Sequence, residues 1–386
     1  MTKPQALTGA EASAEAMRQI NPDVVPVYPI TPQTPIAQKF ADFVSDGLVD
    51  SELIRVESEH SAMSACVGAS AAGSRVMTAS SSAGIALMWE ILGIASGLRL
   101  PIVMSVANRA LSGPINIHCD HSDSMGCRDH SWIQIYCEDA QEVYEYTLLA
   151  IRLAEHKDVM LPVMVCQDGF ITSHGVQNTL ILDDDSAKKF VKDYKPQTAL
   201  LDFKNPVTVG PFLLPDHLFE FKRQQIDAME KSKKAFIEIG KELSKITKNK
   251  YGYFEAYKLN DAAAVIVTLN STAGTTKSVI DKMRKQGKKV GLLKLTLFRP
   301  FPYKEVANTL KNAKAVGVLD RSDSYGAYAP IYSEIRNALF EQQKKPKLQS
   351  YIFGLGGRDI FESDIEKVFN ELLKGSIGDI KFIGLR

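Results

Sequence analysis

Three short segments of this 386-residue chain carry residues whose types and spacing suit chemistry. They are Tyr28-Pro29-Ile30-Thr31-Pro32, Val56-Glu57-Ser58-Glu59-His60 and Asn108-Arg109-Ala110-Leu111. A carboxyl group in a dry pocket has its pKa raised and shares its proton readily, so Glu59 can exchange a proton with a ring nitrogen. Arg109 is always charged and can grip a carboxylate in bidentate fashion. Thr31 offers a neutral donor on a loop stiffened by Pro29, Pro32 and Pro35. Each residue also has a plain structural use. Glu59 after Ser58 suits a capped helix start, Arg109 an ion pair holding its loop, and Thr31 a turn cap. As a set they suit half of a thiamine diphosphate site acting on a 2-oxoacid, in which a carboxyl group promotes the imino tautomer of the aminopyrimidine. No second half is visible.

Other candidates are weaker. The loop His118-Cys119-Asp120-His121-Ser122-Asp123, continuing to Cys127 and Asp129-His130, invites a metal assignment, yet its spacings match no standard zinc pattern, and hydrogen bonds can satisfy those side chains. The metal set is therefore read as none. Ser80-Ser81-Ser82 before Gly84 forms a polar helix entrance with neither a Walker lysine nor a GxSxG elbow, which argues against a nucleotide triphosphatase or serine hydrolase. Gly354-Leu355-Gly356-Gly357 misses the dinucleotide fingerprint spacing and reads as a tight turn.

The elements that must position these residues alternate between helix and short apolar strand. Strands are expected at Val24 to Val27, Leu53 to Val56, Arg75 to Thr78, Ile102 to Val106 and Val163 to Cys166. Helices are expected over Glu11 to Ile20, from Ser58, from about Gly84, and over Gln141 to His156. Continuously apolar strands between helices indicate a parallel sheet covered on both faces, with ligands at the carboxyl ends of the strands. Tyr28 to Thr31, Glu59, Ser80 to Ser82 and Arg109 all follow strands and should share one rim. From Phe170 to about His217 the periodicity fades, and an extended arm is expected. Residues 218 to 247 read as one amphipathic helix, with Leu218, Phe219, Ile226, Met229, Phe236, Ile237, Leu243 and Ile246 near helical spacing on its apolar face and a solvated, lysine-rich face opposite. A second α/β unit begins at Asp261, with strands at Ala264 to Leu269, Val290 to Lys294, Ala315 to Leu319 and Tyr351 to Phe353. The expected domains are 1–250 and 260–386.

Composition bounds the rest. Hydrophobic residues at 45% and charged residues at 24% are ordinary for a globular protein, and the length favours two domains. A net charge of +1 provides no field for nucleic acid or an anionic membrane. With no apolar run long enough for a signal peptide or membrane span, a cytoplasmic location is expected. The five cysteines contain no CxxC pair, which argues for reduced thiols and against an iron–sulfur cluster on this chain.

In order along its length, the chain resembles the alpha subunits of the multi-subunit 2-oxoacid:ferredoxin oxidoreductase family, particularly those acting on pyruvate. The resemblance rests on Tyr-Pro-Ile-Thr-Pro at 28–32, Glu-Ser-Glu-His-Ser-Ala-Met-Ser-Ala at 57–65, Ala-Ser-Gly-Leu-Arg-Leu-Pro-Ile-Val-Met at 95–104 and Ala-Asn-Arg-Ala-Leu at 107–111. It continues through Asp-His-Ser-Asp-Ser-Met at 120–125, Leu-Pro-Val-Met-Val at 161–165 and Leu-Phe-Arg-Pro-Phe-Pro at 297–302. His118-Cys119 depart from the usual neighbours of their loop. The resemblance implies a pyrimidine-type thiamine-diphosphate-binding domain, a doubly wound parallel sheet, followed by a transketolase C-terminal-like α/β domain.

It further implies that Glu59 activates the cofactor, that Thr31 and Arg109 bind the substrate carboxylate, and that Tyr28 and Pro29 line the cofactor site. The diphosphate and Mg²⁺ would be held by a beta subunit through a Gly-Asp-Gly motif, which this sequence lacks. Gamma and delta subunits or fused equivalents, 4Fe-4S clusters on other subunits, coenzyme A as co-substrate, and ferredoxin or flavodoxin as electron carrier complete the expectation. The implied reaction is the reversible oxidative decarboxylation of pyruvate to acetyl-CoA and CO₂. The alternatives are a sister enzyme for 2-oxoisovalerate or 2-oxoglutarate, and a non-catalytic scaffold of such a complex.

Overall fold

The computed structural model describes residues 2–386. Seven strands form the first sheet, in the order Leu297–Arg299, Ile133–Cys137, Val163–Asp168, Ile102–Asn108, Val76–Ser80, Val24–Val27, Glu52–Arg55. All neighbours run parallel except the edge strand Leu297–Arg299, which is antiparallel to Ile133–Cys137. The central strands are buried along their whole length, as strands covered on both faces must be.

Two apolar cores flank this sheet. On one face Gly9–Ile20, Thr34–Ser45 and Ala140–Ala154 pack with the middle of the long helix Pro215–Thr247. On the other, Glu59–Ala72 and Trp89–Gly97 share a core with strands and helices of the second unit, including Val265, Leu293, Val316 and Ile335. The second sheet has six strands in the order Lys381–Ile383, Lys347–Phe353, Ala315–Asp320, Ala264–Thr268, Val290–Leu295, Phe254–Tyr257, the last antiparallel. Its own third core lies under Thr272–Lys285 and Glu362–Lys374. Since Leu297–Arg299 leaves the second unit to edge the first sheet, and one core spans both units, they are bound by backbone as well as by packing.

Three expectations need correction. The segment from Phe170 to His217 is not a plain arm: Val176–Leu182 pairs antiparallel with Thr2–Thr8, and Asp184–Val191 is a helix. The acidic run Asp183 to Asp185 is that helix's start, with the Asp183 carboxylate accepting from Ser186 N, so it favours the positive end of the helix dipole. Second, the helix expected from Gly84 is two, Ser82–Leu87 and Trp89–Gly97, meeting at Met88. Third, the buried stripe of Pro215–Thr247 omits the expected Leu218, Phe219 and Ile226, which are exposed; Gln225, Ala228 and Ser232 are buried instead. The helix Trp89–Gly97 packs against this helix, and Gln225 Nε2 donates to Ser96 Oγ there (3.0 Å).

Candidate active site

Four parallel strands end on one rim, and the sequence candidates lie just beyond them. Val24–Val27 leads to Tyr28, Pro29 and Thr31; Glu52–Arg55 leads to Ser58 and Glu59; Val76–Ser80 leads to Ser81 and Ser82; Ile102–Asn108 leads to Arg109. The Ser58 hydroxyl accepts from Ser61 N (3.2 Å), fixing the start of the Glu59–Ala72 helix, and Gly73 ends that helix at φ 108°. Glu59 is 6% exposed, and its carboxyl group has no hydrogen-bond partner among the described residues. It rests against Gly84 and Ser80: a β-carbon on Gly84 would stand 2.6 Å from Glu59 Oε1 and 2.6 Å from Ser80 Oγ. The Ser80 hydroxyl is itself buried and unpartnered.

Arg109 and Thr31 come together as expected. The Arg109 guanidinium donates from Nη1 to the Thr31 carbonyl (2.9 Å) and from Nε to the Asn116 carbonyl (3.1 Å). Its Nη2 has no partner among the described residues, so the outer end of the guanidinium is available to an anion. The Thr31 side chain is exposed beside it, Tyr28 is half-buried and Pro29 exposed on the same loop, and the Thr31–Pro32 peptide is cis.

Asp123 ties the rim together, a role the Asp-His-Ser-Asp-Ser-Met run hinted at only as a polar cluster. Its Oδ2 accepts from Ser82 N (3.0 Å) and Arg109 N (2.9 Å), and its Oδ1 accepts from Asn108 Nδ2 (2.8 Å) and Ser124 N (2.7 Å). Burial pushes its carboxyl up to about 6, against the pull of those donors, which favour the charged form. Ser82, at φ 46°, is locked further by donating to the Ala110 carbonyl.

A second polar cluster lies where the two units meet. The Asp168 carboxylate accepts from Asn270 Nδ2 (3.0 Å), from Ser271 N (3.3 Å) and from the Ser271 hydroxyl, and contacts His121 Nε2 (2.8 Å) and Cys119 Sγ (3.3 Å). Arg321 Nη1 stands 3.6 Å away. Burial alone would raise the Asp168 pKa; the Arg321 charge and His121 outweigh it and hold the carboxyl well below the usual range. Cys119, His121 and Asp168 present three potential metal-ligand atoms within 4.8 Å of one another. That cluster already contains a cation in Arg321, and burial raises the Cys119 thiol far from the thiolate a metal needs. All five cysteines are buried and free.

The Gly354–Gly357 turn also serves this contact. Gly356 (φ 62°) donates its N–H to Asp120 Oδ2 (3.1 Å), and its carbonyl accepts from Asn116 Nδ2 (3.0 Å), the same Asn116 whose carbonyl holds Arg109. The second unit thus braces the loop behind the arginine. Sequence reasoning missed Asp123, Asp168, Arg321 and Gly84 because each matters through partners remote in sequence.

The family model for pyruvate flavodoxin/ferredoxin oxidoreductase, thiamine diphosphate-binding, matches residues 15–241, and that for pyruvate:ferredoxin oxidoreductase core domain II matches residues 262–365. The chain belongs to this oxidoreductase family. It is 56% identical to the pyruvate synthase subunit PorA of Thermotoga maritima, across 99% of this chain and 98% of that one. Against the ketoisovalerate oxidoreductase subunit VorA of Pyrococcus abyssi it is 40% identical, across 95% and 93%. Among solved structures it is similar to 2-oxoglutarate:ferredoxin oxidoreductase from Magnetococcus marinus, with TM-score 0.73 and 20% identity, covering 96% of this chain and 65% of that one. The doubly wound architecture expected for a thiamine-diphosphate-binding domain is the one observed.

Proposed function

We propose that this chain is the alpha-type subunit of a pyruvate:ferredoxin oxidoreductase, contributing the pyrimidine half of a thiamine diphosphate site and the clamp for the substrate carboxylate. The observation that carries the reading is the Glu59 carboxyl group, on a residue only 6% exposed and without a hydrogen-bond partner among the described residues, on the rim that also carries Arg109 and Thr31. A buried polar group normally finds a hydrogen bond, so a carboxyl left without one suits the ring nitrogen of an aminopyrimidine. The unpartnered Ser80 hydroxyl behind it fits the same pocket.

Thiamine diphosphate, when bound, would supply the nucleophile and the electron sink that decarboxylation of a 2-oxoacid requires. Glu59 holds and returns the proton at the pyrimidine ring. Arg109 meets the substrate carboxylate through Nη2, since Nε and Nη1 are engaged by the Asn116 and Thr31 carbonyls. Thr31 adds a neutral donor, and Tyr28 and Pro29 wall the pocket. One cation suits the single carboxylate of pyruvate better than the two of 2-oxoglutarate. Identity favours pyruvate over a branched 2-oxoacid by a wide margin for the Thermotoga maritima subunit, at 56%, and by a narrow one within Pyrococcus abyssi, where the pyruvate synthase subunit is 42% and the ketoisovalerate subunit 40% identical.

The diphosphate and Mg²⁺ belong on a beta subunit, since the sequence has no Gly-Asp-Gly. The 4Fe-4S clusters belong on other subunits, among them gamma and delta or their fused equivalents, with coenzyme A as co-substrate and ferredoxin or flavodoxin as carrier. No helix among the described residues is long and apolar enough to cross a membrane, and we place the complex in the cytoplasm. Residues 1–250 and 260–386 are its two domains. The test is 2-oxoacid-dependent viologen reduction by the assembled complex. Pyruvate should give the highest kcat/KM; a preference for 2-oxoisovalerate or 2-oxoglutarate would reassign the substrate, and no activity with any of them would leave a scaffold.

A further inference from the structure

We propose that Gly84 is a positioning residue for the Glu59 carboxyl group, its bare α-carbon forming the seat against which that carboxyl is held. The proposal rests on the reading of Glu59 as the activating acid. A β-carbon at Gly84 would meet Glu59 Oε1 at 2.6 Å, Glu59 Cγ at 2.8 Å and Ser80 Oγ at 2.6 Å, all closer than a real contact allows. Nothing in the local backbone calls for glycine. Gly84 lies inside the Ser82–Leu87 helix without a positive φ, its N–H donating to the Ser81 carbonyl (2.9 Å) and its carbonyl accepting from Met88 N (3.1 Å). By helix propensity alone alanine is preferred at such a position. The tertiary neighbours that require glycine are the Glu59 carboxyl group and the Ser80 hydroxyl beside it.

The three atoms crowding the site belong to side chains. An added methyl is therefore relieved by moving the Glu59 carboxyl and turning the Ser80 hydroxyl, with the backbone intact. The carboxyl is confined between its own helix start, the end of the Val76–Ser80 strand and the Ser82–Leu87 helix, and the last of these is pinned through Ser82 N to Asp123. Proton exchange with a ring nitrogen needs the acid within hydrogen-bond reach in a fixed direction, so a displacement the size of a methyl group removes it from the reaction.

The experiment compares wild type, Gly84→Ala, Glu59→Gln and the double variant Gly84→Ala/Ser80→Ala in the assembled, thiamine-loaded complex. The readout is exchange of the thiazolium C2 proton with deuterated solvent, measured by quench and NMR without substrate. Thermal melting and a crystal structure of the apo complex accompany it. Gly84→Ala is expected to slow exchange by about 10²-fold or more, approaching Glu59→Gln, while melting at or above the wild-type temperature with the Glu59 carboxyl displaced. The double variant, with room restored on the serine side, should recover part of the rate. Wild-type exchange in Gly84→Ala beside slow exchange in Glu59→Gln would overturn the proposal and leave the reading of Glu59 standing. Wild-type exchange in Glu59→Gln would overturn both. A large fall in melting temperature for Gly84→Ala would assign Gly84 to packing and also overturn it.

Discussion

Glu59 and Asp168 are both buried carboxylates just beyond strand ends of one sheet, yet they live in opposite company. Asp168 accepts from Asn270 and Ser271, contacts His121 and lies 3.6 Å from the Arg321 guanidinium, so groups of both units meet at it. Glu59 has no such donors and sits against a glycine and an unpartnered serine. A buried charge is tolerated when paired or hydrogen-bonded, and the Asp168 carboxylate has such partners within the chain, whereas the Glu59 carboxyl has none among the described residues. The difference separates a carboxylate held by groups of both units from one left free to meet the cofactor we propose for it.

The contrast is sharpest under substitution. Glu59→Gln should lower kcat by ~10²–10⁴, since the amide keeps the shape but cannot relay a proton. Its melting temperature should stay at the wild-type value, and a variant that turns over normally would reduce Glu59 to a helix-start residue. Arg321→Met should do the reverse. Leaving Asp168 buried without its cation is expected to cost ~3–5 kcal/mol, read by urea unfolding of the chain. A variant with unchanged unfolding midpoint would show that the other donors suffice.

Arg109→Lys lies between the two, because Arg109 is anchored internally by two carbonyls yet offers one end outward. A point ammonium cannot keep both functions. Charge-assisted hydrogen bonds are worth roughly 1.5–3 kcal/mol, so kcat/KM for pyruvate should fall about ten-fold or more. Unchanged kcat/KM would place Arg109 outside the substrate site.

The smallest effect concerns pH. The Asp168 pKa is depressed in the folded chain, so its stabilising contribution is present above the unfolded value near ~3.9 and is lost as pH falls toward the folded value. Stability from this pair should therefore be level between neutral pH and about 5 and decline only in stronger acid. Arg321→Met should lessen that acid-dependent loss. Identical pH profiles for the two proteins would show that Arg321 does not set the Asp168 pKa.

Much of this was legible in the sequence because it is local. Apolar runs gave the central strands, Ser58 before Glu59 gave a capped helix, and residues just after buried strands had to share a rim in a parallel sheet. The helices Gly9–Ile20 and Ala140–Ala154 lie where the sequence predicts helix over Glu11 to Ile20 and Gln141 to His156. The edge strand Leu297–Arg299 was hidden: three residues carry no period, and its partner Ile133–Cys137 is far away in sequence. The same holds for Thr2–Thr8, whose strand character comes from Val176–Leu182.

Residue types and order alone determined which groups could act: a carboxyl at a helix start, an arginine after a strand, a threonine among prolines. What the tertiary structure decided is how each is held. Arg109 is aimed by carbonyls of Thr31 and Asn116, and Asn116 is braced by Gly356 of the other unit. Glu59 is seated by a missing methyl at Gly84. These restraints act over distances of a few ångströms between residues remote along the chain, and only packing of the two sheets brings them within reach.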